Sequence, residues 1–196
     1  MVYKTIEFVC AGNNGRSPVA EAVGRKLLQE LKIESRMNIF STGTIVDTTN
    51  LRDLGMMLRP LAEAPVNNGL ILPDRIKKLE SNPNAVLGEL IAIEEGWRNR
   101  YIAKDIGLDY TGHIRRQTIA SPEERLILPV DKANLARVRA IYESFSYNPT
   151  IENLSTFTEG DIELHQVDVR DYGDYRALAE QVAMVAKRAV LKAMRS

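Results

Sequence analysis

A chain of 196 residues, 44% hydrophobic and 27% charged, can form one good core and has the composition of an ordinary soluble globular protein, not of a disordered or fibrous one. Its 26 Lys and Arg balance 26 Asp and Glu, so no global field draws in nucleic acid or an anionic membrane, and any anion recognition has to be local. A single cysteine excludes an intramolecular disulfide and a cysteine-rich metal site.

The first ten residues form an apolar run interrupted by Glu7, with no small-residue cleavage pattern behind it, which argues against a signal peptide. No apolar stretch approaches the ~20 residues needed to span a bilayer, so a cytoplasmic location is expected. Tyr3 to Cys10 reads as a strand rich in β-branched and aromatic residues, ending at a polar Gly/Asn cluster. Pro18 then suits a first helical turn, and Val19, Ala22, Val23, Leu27 and Leu31 recur at helical spacing.

Met37 to Thr44 reads as a second strand. From about 45 to 104 the pattern is less regular, with turn signals at Asn67-Asn68-Gly69, Pro73-Asp74 and Asn82-Pro83-Asn84. One helix is expected there, with Leu87, Leu90, Ile91, Trp97 and Tyr101 on a shared face, and the stretch reads as a largely helical insertion in a single 1–196 domain. Arg125 to Asp131 and Ile151 to Thr158 read as third and fourth strands.

Helical stripes are expected at Leu135, Val138, Ile141, Tyr142 and Phe145, and at Leu178, Val182, Val185, Ala189 and Ala193. Strands alternating with helices call for an α/β three-layer sandwich around a mainly parallel four-stranded sheet, helices on both faces, with ligands at the carboxyl ends of the strands.

The informative segment is Cys10-Ala11-Gly12-Asn13-Asn14-Gly15-Arg16-Ser17-Pro18, lying between strand and helix. A thiol there faces oriented backbone N–H groups and the positive end of a helix dipole, which favour thiolate. Gly12, Asn13, Asn14 and Gly15 tolerate the left-handed turns that make an anion nest, and Arg16 offers a planar fork to two phosphate oxygens. Ser17 can donate its hydroxyl to the Cys10 sulfur. An ATPase-type phosphate loop fails at two positions, where Cys10 replaces Gly and Arg16 replaces Lys; a plain strand-to-helix turn with a bystander cysteine is the other reading.

Phe8 to Ala22 resembles the signature of low-molecular-weight protein tyrosine phosphatases, Val-Cys-x-Gly-Asn-x-Cys-Arg-Ser-Pro-x-Ala-Glu. Ser41-Thr42-Gly43-Thr44, Gly107-Leu108-Asp109, Gly112-His113, Arg116-Gln117 and Leu126 to Leu135 resemble later family segments in order. The resemblance implies a phosphomonoesterase for phosphotyrosyl proteins or small aryl phosphates, without metal or cofactor. Cys10 would be the nucleophile and form a phosphocysteine. Arg16 would clamp the phosphate, with the backbone from Ala11 to Ser17 around it. Asn13 would brace the loop and Ser17 would stabilise the thiolate.

The family's general acid is an Asp, usually followed by Pro, before the last helix. Here the loop runs from His165 to Tyr175 without Asp-Pro. Alignment on Tyr172-Gly173 points to Asp171, with Asp168 as the alternative and an ordinary solvated loop acid as the plain reading of either. Tyr172 is expected to wall the substrate cleft, while Tyr175 is open between that role and packing. Gly15 stands where many members carry a second cysteine, so oxidised Cys10 has no internal resolving partner.

Asp131 and Asn134 are expected to cap the following helix and brace the loop from behind. His113 and His165 lack metal-ligand spacing and are assigned structural or surface roles. Two other functions compete: a phosphate-binding module without turnover, whose insertion would seat a protein partner, and an arsenate reductase, which needs a cysteine relay this chain lacks.

Overall fold

The apolar run that ends at Cys10 lies inside a sheet, between two parallel neighbours. The computed structural model describes residues 3–46, 82–110, 112–158, 169 and 171–195, with the backbone alone at 83–87 and 89. In chain order its elements are β1 (Thr5–Cys10), α1 (Arg16–Glu30), β2 (Asn38–Gly43), α2 (Pro83–Tyr101), β3 (Leu126–Pro129), α3 (Lys132–Glu143), β4 (Thr150–Ile151) and α4 (Tyr172–Arg195). The sheet order is β2-β1-β3-β4 and every pairing is parallel, as the α/β reading requires.

Alternation along the strands divides the core between two faces. Ile6, Phe8, Leu126 and Leu128 pack with α1, α2 and α4, whereas Val9 and Ile127 pack with Val138 and Tyr142 of α3. The α4 stripe Leu178, Val182, Val185, Ala189 and Ala193 is buried as its spacing predicts. In α3 the buried side is Asn134, Val138 and Tyr142, and Phe145 falls beyond the helix end, 39% exposed. In α2, Leu90 and Tyr101 are buried and Ile91 and Trp97 pack against the core; the rest of the expected 45–104 segment, residues 47–81, lies outside the described residues.

Two strand expectations change. The fourth strand keeps only Thr150–Ile151, because the Asn153 side chain accepts from the Ser155 N–H and turns the chain into a 3₁₀ turn at Leu154–Phe157. The third is Leu126–Pro129: Val130 N still donates to the Val9 carbonyl at 2.8 Å, and Asp131 then turns the chain into the cap of α3. Glu7, the acid inside the first run, is fully buried and paired: Thr42 Oγ1 donates to it at 2.6 Å and Arg125 at 2.7 Å. Among the described residues no helix is long and apolar enough to cross a membrane.

Candidate active site

Cys10 ends β1, the strand in the middle of the β2-β1-β3 trio, so its side chain emerges at the carboxyl edge of the sheet directly before α1. Ser17 Oγ donates to the Cys10 sulfur at 3.0 Å and also lies 3.1 Å from the Thr42 carbonyl. No side chain caps the amino terminus of α1 and no acid occupies its first turn, which leaves the positive end of the helix facing the loop.

The carbonyls of the loop are held one after another by the scaffold. Cys10 O accepts from Thr44 N and Ala11 O from Ile45 N, both at 3.0 Å, as β2 runs on past its end. Asn13 O lies 3.1 Å from His113 Nε2, which as the partner of a carbonyl must carry the proton, and Asn14 O accepts from Arg98 at 2.9 Å. Because the two polar groups of a trans peptide point in opposite directions, each tethered carbonyl turns the following N–H the other way. A succession of outward-held carbonyls is what an anion nest requires.

The left-handed residue of this turn is Asn13, with φ +50°, and not one of the glycines; its side chain donates to Ser41 Oγ at 2.8 Å and Ser17 Oγ at 3.2 Å and accepts from Arg116 N. Ser41 in turn donates to Glu21 Oε2, which also accepts from the Tyr110 hydroxyl. Glycine is required for space at Gly43, where the nearest neighbours are backbone, while at Gly15 the neighbour is the end of a side chain. A Cβ at Gly43 would strike the Ala11 carbonyl and the Asn13 nitrogen, and one at Gly15 would fall on the Glu94 carboxylate.

Arg16 is buried and forms a 2.7 Å ion pair with Asp131, whose other oxygen accepts from the backbone and side-chain nitrogens of Asn134. Burial works against the Asp131 charge, yet Arg16 and the Asn134 donors overcome it and hold the carboxyl below its ordinary value. Asp131 is thus both the cap of α3 and the partner that orients the guanidinium, in line with the cap-and-brace role expected for it. Asn134 extends the brace to β2, accepting from Thr44 Oγ1 at 3.3 Å.

Asp171 lies at the exposed start of α4, where its carboxylate accepts from Asp174 N at 3.0 Å. Asp168 and His165 fall outside the described residues. Tyr172 is half-buried under the Arg100 guanidinium, 3.9 Å from the ring centroid. Tyr175 is a packing residue, 1% exposed and tilted against Trp97 at 5.9 Å; burial first, and then the Glu94 charge, push its hydroxyl well above the ordinary tyrosine value.

Three participants were not singled out from the sequence: Glu94, Arg98 and the Glu21–Tyr110 pair. Glu94 and Arg98 are four residues apart on α2 and interrupt its apolar face, which is the signal that could have found them. His113 belongs to the loop's support and not to the surface, and its position in the Gly112-His113 segment was the available hint.

A parallel α/β sheet thus presents a cysteine at a helix start, under a serine hydroxyl and beside a buried arginine. Residues 5–63 match the family model for low molecular weight phosphotyrosine protein phosphatase. Over 41 residues the chain is 51% identical to the chicken (Gallus gallus) low molecular weight phosphotyrosine protein phosphatase, which covers 21% of this chain and 26% of that protein. The aligned part thus spans about a quarter of the curated relative.

The fold likeness reaches well beyond the matched segment. The low molecular weight protein tyrosine phosphatase from T. tengcongensis matches with TM-score 0.61 at 14% identity, covering 96% of this chain and 98% of that one. Vibrio vulnificus Wzb in complex with benzylphosphonate matches with TM-score 0.61 at 16% identity, covering 97% and 99%. The drosophila arginine phosphatase DARP matches with TM-score 0.61 at 18% identity, covering 97% and 98%. The resemblance read from Phe8 to Ala22 therefore stands: the first third of the chain carries the sequence pattern of the low-molecular-weight phosphatases, and the described chain carries their fold.

Proposed function

We propose that the protein is a phosphoric monoester hydrolase of the protein-tyrosine-phosphatase type, acting on phosphotyrosyl proteins or small aryl phosphates. The observation that carries this reading is the row of tethered carbonyls at Cys10, Ala11, Asn13 and Asn14 around a sulfur that already accepts a serine hydroxyl. Such a nest stabilises charge on the equatorial oxygens of a transferring phosphoryl group, which is where most of the rate enhancement of such a reaction arises.

In this mechanism the Cys10 thiolate attacks phosphorus in line, the sulfur–phosphorus bond forms and the ester oxygen–phosphorus bond breaks. The Ala11 to Ser17 backbone and Arg16 hold the three non-bridging oxygens. Asp171 protonates the departing oxygen and then takes a proton from the water that hydrolyses the phosphocysteine. Tyr172 walls the approach to the cleft. Ser17 supports the thiolate both before attack and as it leaves.

A second reading, a phosphate-binding module without turnover, is favoured by one observation: the Asp171 carboxylate is engaged as the amino-terminal cap of α4. Hydrolysis of p-nitrophenyl phosphate and of a poor-leaving-group aryl phosphate, compared in wild type, Asp171→Asn and Asp168→Asn over pH, separates the two. The phosphatase reading expects vanadate-sensitive turnover lost with Cys10→Ser, and a drop of about 10²–10⁴-fold in Asp171→Asn confined to the poor leaving group. Phosphate affinity without turnover of either ester would establish the binding module. A selective drop in Asp168→Asn instead would move the acid upstream.

A further inference from the structure

We propose that helix α2 is a working part of the phosphate site, with Arg98 as the positioning residue that aims the Gly15 amide at the bound phosphoryl group; this rests on the phosphatase reading above. Arg98 has no exposed surface, and a guanidinium is costly to bury unless its donors are used. Its Nη2 and Nε are satisfied on its own helix, by Glu95 at 2.9 Å and by Asn99 at 3.0 and 3.2 Å. Nη1 reaches out of the helix to the Asn14 carbonyl at 2.9 Å and toward Asn14 Oδ1 at 3.4 Å.

One turn earlier on the same helix, Glu94 and the Ile91 carbonyl take the Asn14 side-chain amide at 2.8 and 3.0 Å. Both polar ends of Asn14 are therefore fixed by α2. The peptide that follows leads into Gly15, the residue type with the fewest conformational restraints, so the Asn14–Gly15 plane needs an outside tether to keep one orientation. With the carbonyl drawn to Arg98, the Gly15 N–H points away from α2, continuing the inward series begun by the carbonyls of Cys10, Ala11 and Asn13.

The same helix meets the start of α4. Trp97 lies against Tyr175, and Arg100 covers Tyr172. Helix α2 is accordingly wedged between the phosphate loop and the start of α4. Its position couples the orientation of one loop amide to the seating of the segment that carries Asp171.

Arg98→Met, checked for native folding by near-ultraviolet circular dichroism, is expected to lower kcat on p-nitrophenyl phosphate by about 10-fold or more and to weaken vanadate inhibition by a similar factor. Arg98→Lys, which keeps one donor for the Asn14 carbonyl, should recover part of both. A folded Arg98→Met with a lower melting temperature but unchanged kcat and vanadate affinity would mark Arg98 as a structural staple and overturn the proposal. A second measurement needs no variant: in the wild type the Gly15 amide proton should move downfield on addition of vanadate. If it stays in place while the Ala11, Gly12 and Arg16 amides move, the proposal fails. A wild type that shifts Gly15 on binding vanadate but hydrolyses no ester would support the positioning role while defeating the phosphatase reading.

Discussion

Four contacts meet at Asn13: its side chain joins Ser17, Ser41 and the Arg116 backbone, and its carbonyl meets His113. A residue with φ +50° persists only where its surroundings overdetermine it, and Asn is one of the few types that tolerate that region. The supporting imidazole gives this network a pH dependence. Burial, with the Arg98 and Arg116 charges, lowers the His113 pKa from 6.5, against the opposing effects of the Asn13 carbonyl and Glu21. Since the folded state then binds fewer protons than the unfolded chain, stability should be complete above pH 6.5 and fall as pH drops from there through the folded pKa.

Urea unfolding of wild type and His113→Gln across pH tests this. The difference in stability between the two should change in that window, with the wild type losing more. Glu7, whose pKa burial raises despite Thr42 and Arg125, contributes the opposite slope above pH 4.5, but equally to both proteins. A difference independent of pH would refute the neutral, half-buried role of His113. At this scale the sequence disclosed Cys10, Arg16, Asn13 and Ser17, because a short loop keeps its chemistry contiguous. It placed His113 in a family-like segment without disclosing its contact with the loop, which arrives from 100 residues away.

Among the elements, β1 and α4 follow their hydrophobic periods, whereas α1 buries Val19, Ala22 and Leu27 of its expected stripe but ends before Leu31, which is 44% exposed. The shortened fourth strand departs because side-chain capping at Asn153 competes locally with ladder pairing, which an apolar pattern does not register. Helix α2 was legible only as an amphipathic segment; Glu94 and Arg98 have meaning once the loop they hold is in place.

The contact between α2 and the loop also explains the departure at Gly15. A side chain there would overlap the Glu94 carboxylate, so a second cysteine would have to push Glu94 off the Asn14 amide it holds. Gly15→Cys should therefore cost about 1–3 kcal/mol in chemical denaturation and lower kcat, with no gain in reversible protection from peroxide. Gly15→Cys in a Glu94→Ala background should recover stability relative to Gly15→Cys alone. A Gly15→Cys protein as stable and active as wild type would contradict the packing described for this helix.

For the molecule as a whole, the site lies where a parallel sheet directs ligands, and its support is gathered from β2, α2, α3 and the segment before β3. That the sheet is parallel and the loop sits at its carboxyl edge was legible from strand–helix alternation. Which remote side chains close around the loop was not, since it depends on packing between segments far apart in sequence.

The most direct measurement is rapid acid quenching of p-nitrophenyl phosphate turnover, with mass spectrometry of the protein to locate covalently bound phosphate. One phosphoryl group is expected on Cys10, absent from Cys10→Ser along with the activity. Phosphate on another residue, or turnover that survives Cys10→Ser, would contradict it.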